Sequence, residues 1–172
     1  MGSNEASERK ESRDLPFLDS PNLTIDASGR SWPDFVMAFE LNSKLAEGGF
    51  ALGRLNGCRL LLKNNAQFPW LILVPEVEGV EDLHQLDENR FLEVMSAVRH
   101  VSEFVESHFS PEKLNVACIG NVVRQMHIHI VGRSTGDPAW PGTVWAHDGK
   151  SEYSEDEVEE IRETAKVALD LE

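Results

Sequence analysis

The chain has 172 residues, 41% of them hydrophobic, and its 16 Lys+Arg against 30 Asp+Glu leave a formal charge of −14. That is enough for one sizeable core with little room for two. The acidic balance excludes a general nucleic-acid surface built on phosphate neutralisation, although a local phosphate pocket stays open. No apolar stretch approaches a membrane span and the first residues lack a hydrophobic signal core, so the cytoplasm is the expected compartment and no membrane partner is expected. Cys58 and Cys118 lie in apolar runs rather than close pairs, which predicts buried thiols in a reducing environment.

Residues 1 to about 14 are almost free of apolar side chains and cannot offset their ordering entropy by burial. A flexible tail over residues 1–20, a domain over 21–148 and an acidic C-terminal helix over 149–172 is the expected organisation. Pro16, Pro21 and Pro33 punctuate the approach, after which Phe35, Val36, Phe39 and Leu41 supply the first apolar anchors. A short helix or turn is predicted over Asn42 to Glu47 and a strand over Phe50 to Arg54. Asn56-Gly57 is a hairpin signal, followed by a strand from Arg59 to Lys63. The polar turn from Asn64 to Pro69 leads into Trp70 to Pro75, an apolar run short enough for a central strand.

The clearest helix follows. Asp87 can cap it, and Phe91, Val94, Met95, Val98, Val101, Phe104 and Val105 recur at helical spacing until Ser110-Pro111. Leu114, Val116 and Cys118 alternate with Asn115 and Ala117 as a strand, and the link Gly120 to Arg124 leads on to the next. The loop from Gly136 to Trp145 holds two of the four tryptophans, which either cover the core edge or wall a ligand pocket. Ser154 and Glu157 form a capping box for a last helix with a thin stripe of Val158, Ile161, Ala165 and Ala168. The chain shows no internal repeat.

Gln125-Met126-His127-Ile128-His129-Ile130-Val131 alternates polar with apolar, which predicts a strand with Gln125, His127 and His129 on one face and Met126, Ile128 and Ile130 in the core. As metal ligands, the two histidines would need a third and usually a fourth partner that the local sequence does not supply, so no metal site and no cofactor is expected. Nucleophilic catalysis suits them better. A neutral imidazole attacks an electrophilic centre, while a second His, the Gln125 amide and backbone N–H groups of Gly120-Asn121 surround the developing negative charge. This set points to phosphate chemistry.

The stretch Asn115 to Arg133, NVACIGNVVRQMHIHIVGR, together with Arg59 to Pro75, RLLLKNNAQFPWLILVP, resembles the histidine triad (HIT) family of nucleotidyl hydrolases and transferases. The loop from Gly136 to Trp145 is similar to one in some bacterial members, so the resemblance covers roughly residues 35 to 145. It implies an α+β fold, an antiparallel sheet of about five strands with the long helix packed on it, and a homodimer. It makes His127 the nucleophile at the α-phosphorus and His129 a donor beside the phosphate. Gln125 stands where the first histidine of the triad would be, as in a subgroup of bacterial diadenosine tetraphosphate hydrolase-like proteins. Asn64 or Asn65 would hold the ribose, and Asn115, Gly120 and Asn121 would complete the substrate contacts. The expected activity is hydrolysis or transfer at a nucleoside phosphoanhydride or phosphoramidate, such as a dinucleoside polyphosphate, through a nucleotidyl-histidine intermediate. The alternative is a nucleotide-binding module with weak or no turnover.

Overall fold

The computed structural model describes residues 39–172. The expectations for the N-terminal tail, its prolines, Phe35 and Val36 lie outside the described residues. Five strands form one antiparallel sheet: β1 (Gly49–Leu55), β2 (Cys58–Lys63), β3 (Trp70–Pro75), β4 (Lys113–Cys118) and β5 (Ile128–Arg133), in the order β1-β2-β3-β5-β4. Among the described residues three α-helices accompany it: α1 (Ser43–Glu47), α2 (Glu88–Phe109) and α3 (Glu155–Leu169). The α+β architecture is the one expected.

Local chemistry explains the elements. Asn56 and Gly57 both take positive φ, 48° and 63°, the twist a two-residue hairpin needs, and they join β1 to β2 in register Leu55↔Cys58. Asp87 caps α2 by accepting from the Arg90 N–H at 2.9 Å, and Ser110 ends it in a left-handed conformation just before Pro111. Ser154 and Glu157 form the reciprocal capping box of α3.

One face of the sheet, carrying Leu60, Leu62, Leu71, Leu73, Ile128 and Ile130, packs against α2 and α3 as the main core. The core-facing residues of α2 are Val94, Ala97, Val98, Val101, Phe104 and Val105, whereas Phe91 and Met95, expected in the stripe, are exposed. In α3 the stripe runs Val158, Ile161, Ala165, Leu169, so Ala168 points outward. Leu169 and Leu171 belong to the same core as β1, which ties the C-terminal helix into the sheet. Cys58 is buried, but Cys118 is exposed because β4 is an edge strand.

The opposite face carries a second apolar cluster. Leu61, Trp70, Ile72, Val74 and Val131 meet Leu45 from α1 and Val144 from a single 3₁₀ turn, Val144–Ala146. It is on this face, at the start of β5, that the histidines lie.

Candidate functional site

The predicted strand over Gln125–Val131 begins only at Ile128. Before it, the Met126 N–H donates to the Val80 carbonyl at 3.0 Å rather than to a neighbouring strand. The alternation survives this, because Met126, Ile128 and Ile130 enter the main core while His127 and His129 project the other way. The two imidazoles stand edge to face with centroids 4.8 Å apart.

Their hydrogen bonds fix their tautomers. His127 Nδ1 lies 2.7 Å from the Gln125 carbonyl oxygen, which can only accept, so Nδ1 carries the proton and the Nε2 lone pair of the neutral ring is free. His129 is oriented in the opposite sense. The indole Nε1–H of Trp70 donates to its Nδ1 at 3.0 Å, and an indole cannot accept, so the proton of neutral His129 sits on Nε2. One imidazole therefore offers a nucleophilic nitrogen and its neighbour an N–H donor.

His129 is buried, and burial, with the charges of His127 and Lys63, pushes its pKa down to about 3. It stays neutral throughout the physiological range. An unfolded chain takes up a proton on this histidine near its ordinary 6.5, whereas the folded one does not until about 3. The contribution is thus fully present above 6.5 and lost as pH falls toward 3. His129→Asn keeps an acceptor near the Nδ1 position for Trp70 and cannot titrate. Urea midpoints between pH 4 and 7 are expected to fall less steeply for this variant than for the wild type.

The Gln125 side chain makes no hydrogen bond to either imidazole among the described residues. Its Nδ-bearing neighbour is reached only through the main chain, while its own amide donates through Nε2 to the Glu40 carbonyl and accepts through Oε1 from the Asn42 N–H, each at 2.9 Å. Both ends of the amide are used in holding the segment that leads into α1. The physical reason is that the chain has not yet entered the sheet at this residue. Gln125→Leu is therefore expected to cost about 1–2 kcal/mol of stability by removing two hydrogen bonds. The pH profile of kcat/KM should keep its shape, since no group touching the imidazoles has changed; denaturation and steady-state kinetics check the two parts.

The asparagines divide similarly. Asn65 is buried, with Oδ1 accepting from the N–H groups of Gln67 and Ser151 and Nδ2 donating to the Gly149 carbonyl, so it pins the segment leading to α3. Asn64 uses Oδ1 for the Tyr153 N–H and lines an open cleft of 420 Å³. Asn115 pairs with Val131, further along β5 from His127, and accepts from Arg133 at 3.1 Å. Gly120 and Asn121 line a separate polar pocket with Glu81, Asp82 and Arg124. No hydrogen bond joins Asn115, Gly120 or Asn121 to either imidazole among the described residues. Nor, among those residues, do three His, Cys, Asp or Glu side chains converge as a metal-binding group.

Two tryptophans complete the site, Trp70 unforeseen and Trp145 from the aromatic loop. Trp70 orients His129, and Trp145 packs its ring edge-on to both, with centroids 5.4 Å from His129 and 5.7 Å from Trp70. The signal for Trp70 was an indole N–H in an otherwise apolar strand, a donor that needs a partner when buried. Of the two roles left open for the aromatic loop, Trp145 serves both, covering His129 and walling the cleft beside it. No helix among the described residues is long and apolar enough to cross a membrane.

A family model described as the HIT domain matches residues 48–136. Among solved structures, the chain is similar to a histidine triad protein from Marinobacter aquaeolei VT8, with 34% identity, a TM-score of 0.74, and coverage of 77% of this chain and 97% of the other. It is similar at 32% identity to a histidine triad protein from Bradyrhizobium japonicum, and at 30% to one from Sinorhizobium meliloti 1021. Both have a TM-score of 0.74, covering 77% of this chain and 98% of theirs. No curated protein matches. The sheet order, the paired imidazoles and these likenesses agree: the chain belongs to the histidine triad (HIT) family, a superfamily of nucleotide-binding hydrolases and transferases.

Proposed function

We propose that the protein hydrolyses or transfers a nucleotidyl group at a phosphoanhydride or phosphoramidate, with His127 attacking the α-phosphorus. The observation that carries this reading is the bond from His127 Nδ1–H to the Gln125 carbonyl, which leaves Nε2 as an unprotonated nitrogen beside the Nε2–H of His129. In the first step an Nε2–P bond forms and the bond from phosphorus to the leaving group breaks, its electron pair departing with the leaving group. The ring then carries positive charge, which the Gln125 carbonyl stabilises by accepting from Nδ1–H. Because it is neutral, His129 can donate to a phosphate oxygen without itself being an acid near neutral pH. In the second step water attacks phosphorus and releases a proton to solvent, the N–P bond breaks with its electron pair returning to Nε2, and nucleoside monophosphate leaves with His127 neutral again.

Asn64 is our choice for the ribose contact, since its Nδ2 remains available at the cleft while the Asn65 amide is fully engaged. Gln125 acts through the backbone: its carbonyl sets the nucleophile and its amide holds the entry to α1. We further propose a homodimer in the cytoplasm, for which the exposed Val116 on edge strand β4 gives an apolar contact point.

The test is a screen of adenosine and guanosine substrates, dinucleoside polyphosphates and nucleoside phosphoramidates, for monophosphate release, with quenched reactions analysed by intact mass. Turnover with a transient nucleotidyl adduct is expected. Tight binding of every substrate without product would leave a binding module instead.

A further inference from the structure

Residues 124–126 stand just before β5 and outside its pairing with β3 and β4, yet they carry the carbonyl that sets the nucleophile. Each is fastened to a different part of the chain instead. Arg124 pairs with Glu81, and the Met126 N–H donates to the Val80 carbonyl at 3.0 Å. Gln125 uses both ends of its amide, on the Glu40 carbonyl and on the Asn42 N–H. The carbonyl that accepts from His127 Nδ1 and the N–H that donates to Val80 belong to one peptide unit, that between Gln125 and Met126. A peptide unit is planar, so whatever fixes its tilt also aims the bond to the imidazole.

The fastening at Gln125 reaches a segment that is itself seated. Phe39 and Leu41 pack against the apolar cluster on the histidine face, and Leu45 of α1 enters that cluster. The Arg59 guanidinium lies over the Phe39 ring, 5.2 Å to the centroid, and reaches the Phe39 carbonyl at 3.5 Å. Glu76 holds Arg59 in turn, at 2.8 Å. Residues 39–42 are thus a strap on this face, tied to β2 through Arg59 and to Gln125, which lies 85 and 83 positions from the two residues it binds. Those two bonds end on main-chain atoms two residues apart. A single bond would let the amide pivot, whereas two points fix its plane.

We propose that this strap is a positioning element of the catalytic centre: seated by Phe39 and Arg59, it holds Gln125 so that its carbonyl keeps the His127 proton on Nδ1 and leaves Nε2 aimed at phosphorus. The inference rests on the nucleotidyl reading of His127. It adds to that reading two residues, Phe39 and Arg59, that make no hydrogen bond to either imidazole among the described residues. A nucleophile shifted by a fraction of an ångström loses rate rather than affinity, so the strap acts on the chemical step. A displaced carbonyl lowers the height of the pH profile and not its shape, since the same groups titrate.

Phe39→Ala, Arg59→Met and Gln125→Leu in the full chain test it, with the double variant F39A/Q125L. Single-turnover rates at saturating substrate and KM are measured on adenosine and guanosine phosphoramidates and dinucleoside tetraphosphates, and the His127 tautomer is read from its ring-nitrogen NMR shifts. Phe39→Ala and Gln125→Leu should each lower the rate about 10-fold with KM within about twofold, and weaken the Nδ1–H signature of His127. Arg59→Met, which leaves the Phe39 ring in place, should lower the rate about threefold. F39A/Q125L should be no slower than Gln125→Leu alone, because both changes cut one path; independent effects would multiply. A wild-type rate and tautomer in Phe39→Ala, a loss confined to KM, or a multiplicative loss in the double variant overturns the strap while leaving the His127 reading standing. Absence of turnover in the wild type with every probe overturns the nucleotidyl reading, and the nitrogen shifts then decide alone: a His127 tautomer that changes in Phe39→Ala supports the strap, and one that does not overturns it.

Discussion

Replacing His127 by Ala is expected to lower kcat/KM on the order of 10³-fold or more while leaving a folded protein, because the substitution removes the nucleophile and nothing in the core. His127 is only 5% exposed, yet it lies on the face away from α2 and α3. Among the described residues its side chain makes one hydrogen bond, to the Gln125 carbonyl, so the structural loss is one hydrogen bond and a small void, about 1–2 kcal/mol. Kinetics on a variant with native-like circular dichroism and denaturation cooperativity separates the two effects. Rates within tenfold of wild type would remove His127 from the mechanism.

The largest stability loss is expected from Asp137→Ala. Arg133 is 2% exposed, and its guanidinium is met by both Asp137 oxygens, at 2.7 and 2.9 Å, and by Asn115 at 3.1 Å. It also lies over the rings of Phe68 and Trp140, each 5.8 Å to the centroid. Removing Asp137 leaves a buried cation without its counter-charge, which costs about 3–5 kcal/mol. The carboxylate additionally accepts from the Ser134 and Ala139 N–H groups, so R133M/D137L should recover only part of the loss. The bond from Arg133 holds the Asp137 carboxyl below its ordinary 3.8. Its contribution is complete above that value and vanishes as pH falls through the lower folded value. Urea denaturation should show this acid-limb slope in wild type and not in Asp137→Ala.

Local patterns carried the fold further than they carried the site. Asn56-Gly57, Asp87, Ser110-Pro111 and the Ser154–Glu157 box each specify a turn or a helix end through atoms within a few residues, and the structure has all four. The alternation around His127 and His129 likewise told which way the imidazoles face. What alternation could not tell was where the strand begins or which partner each side chain finds. Gln125 binds residues 85 and 83 positions away, Asn65 reaches across 84 and 86, and Trp70 meets His129 across 59. Those distances are bridged by tertiary packing, which periodicity does not encode. Asn115 was drawn toward the site by its place in the motif, but in register it faces Val131 and serves Arg133.

A nucleotidyl-His127 intermediate requires two displacements at phosphorus, the first by His127 Nε2. The most direct measurement is the stereochemical course with a substrate made chiral at the α-phosphorus by sulfur and oxygen isotopes. Each in-line displacement inverts the centre, so formation and hydrolysis of a nucleotidyl-His127 intermediate predicts net retention in the released monophosphate. Net inversion would show a single direct attack by water and would contradict the account.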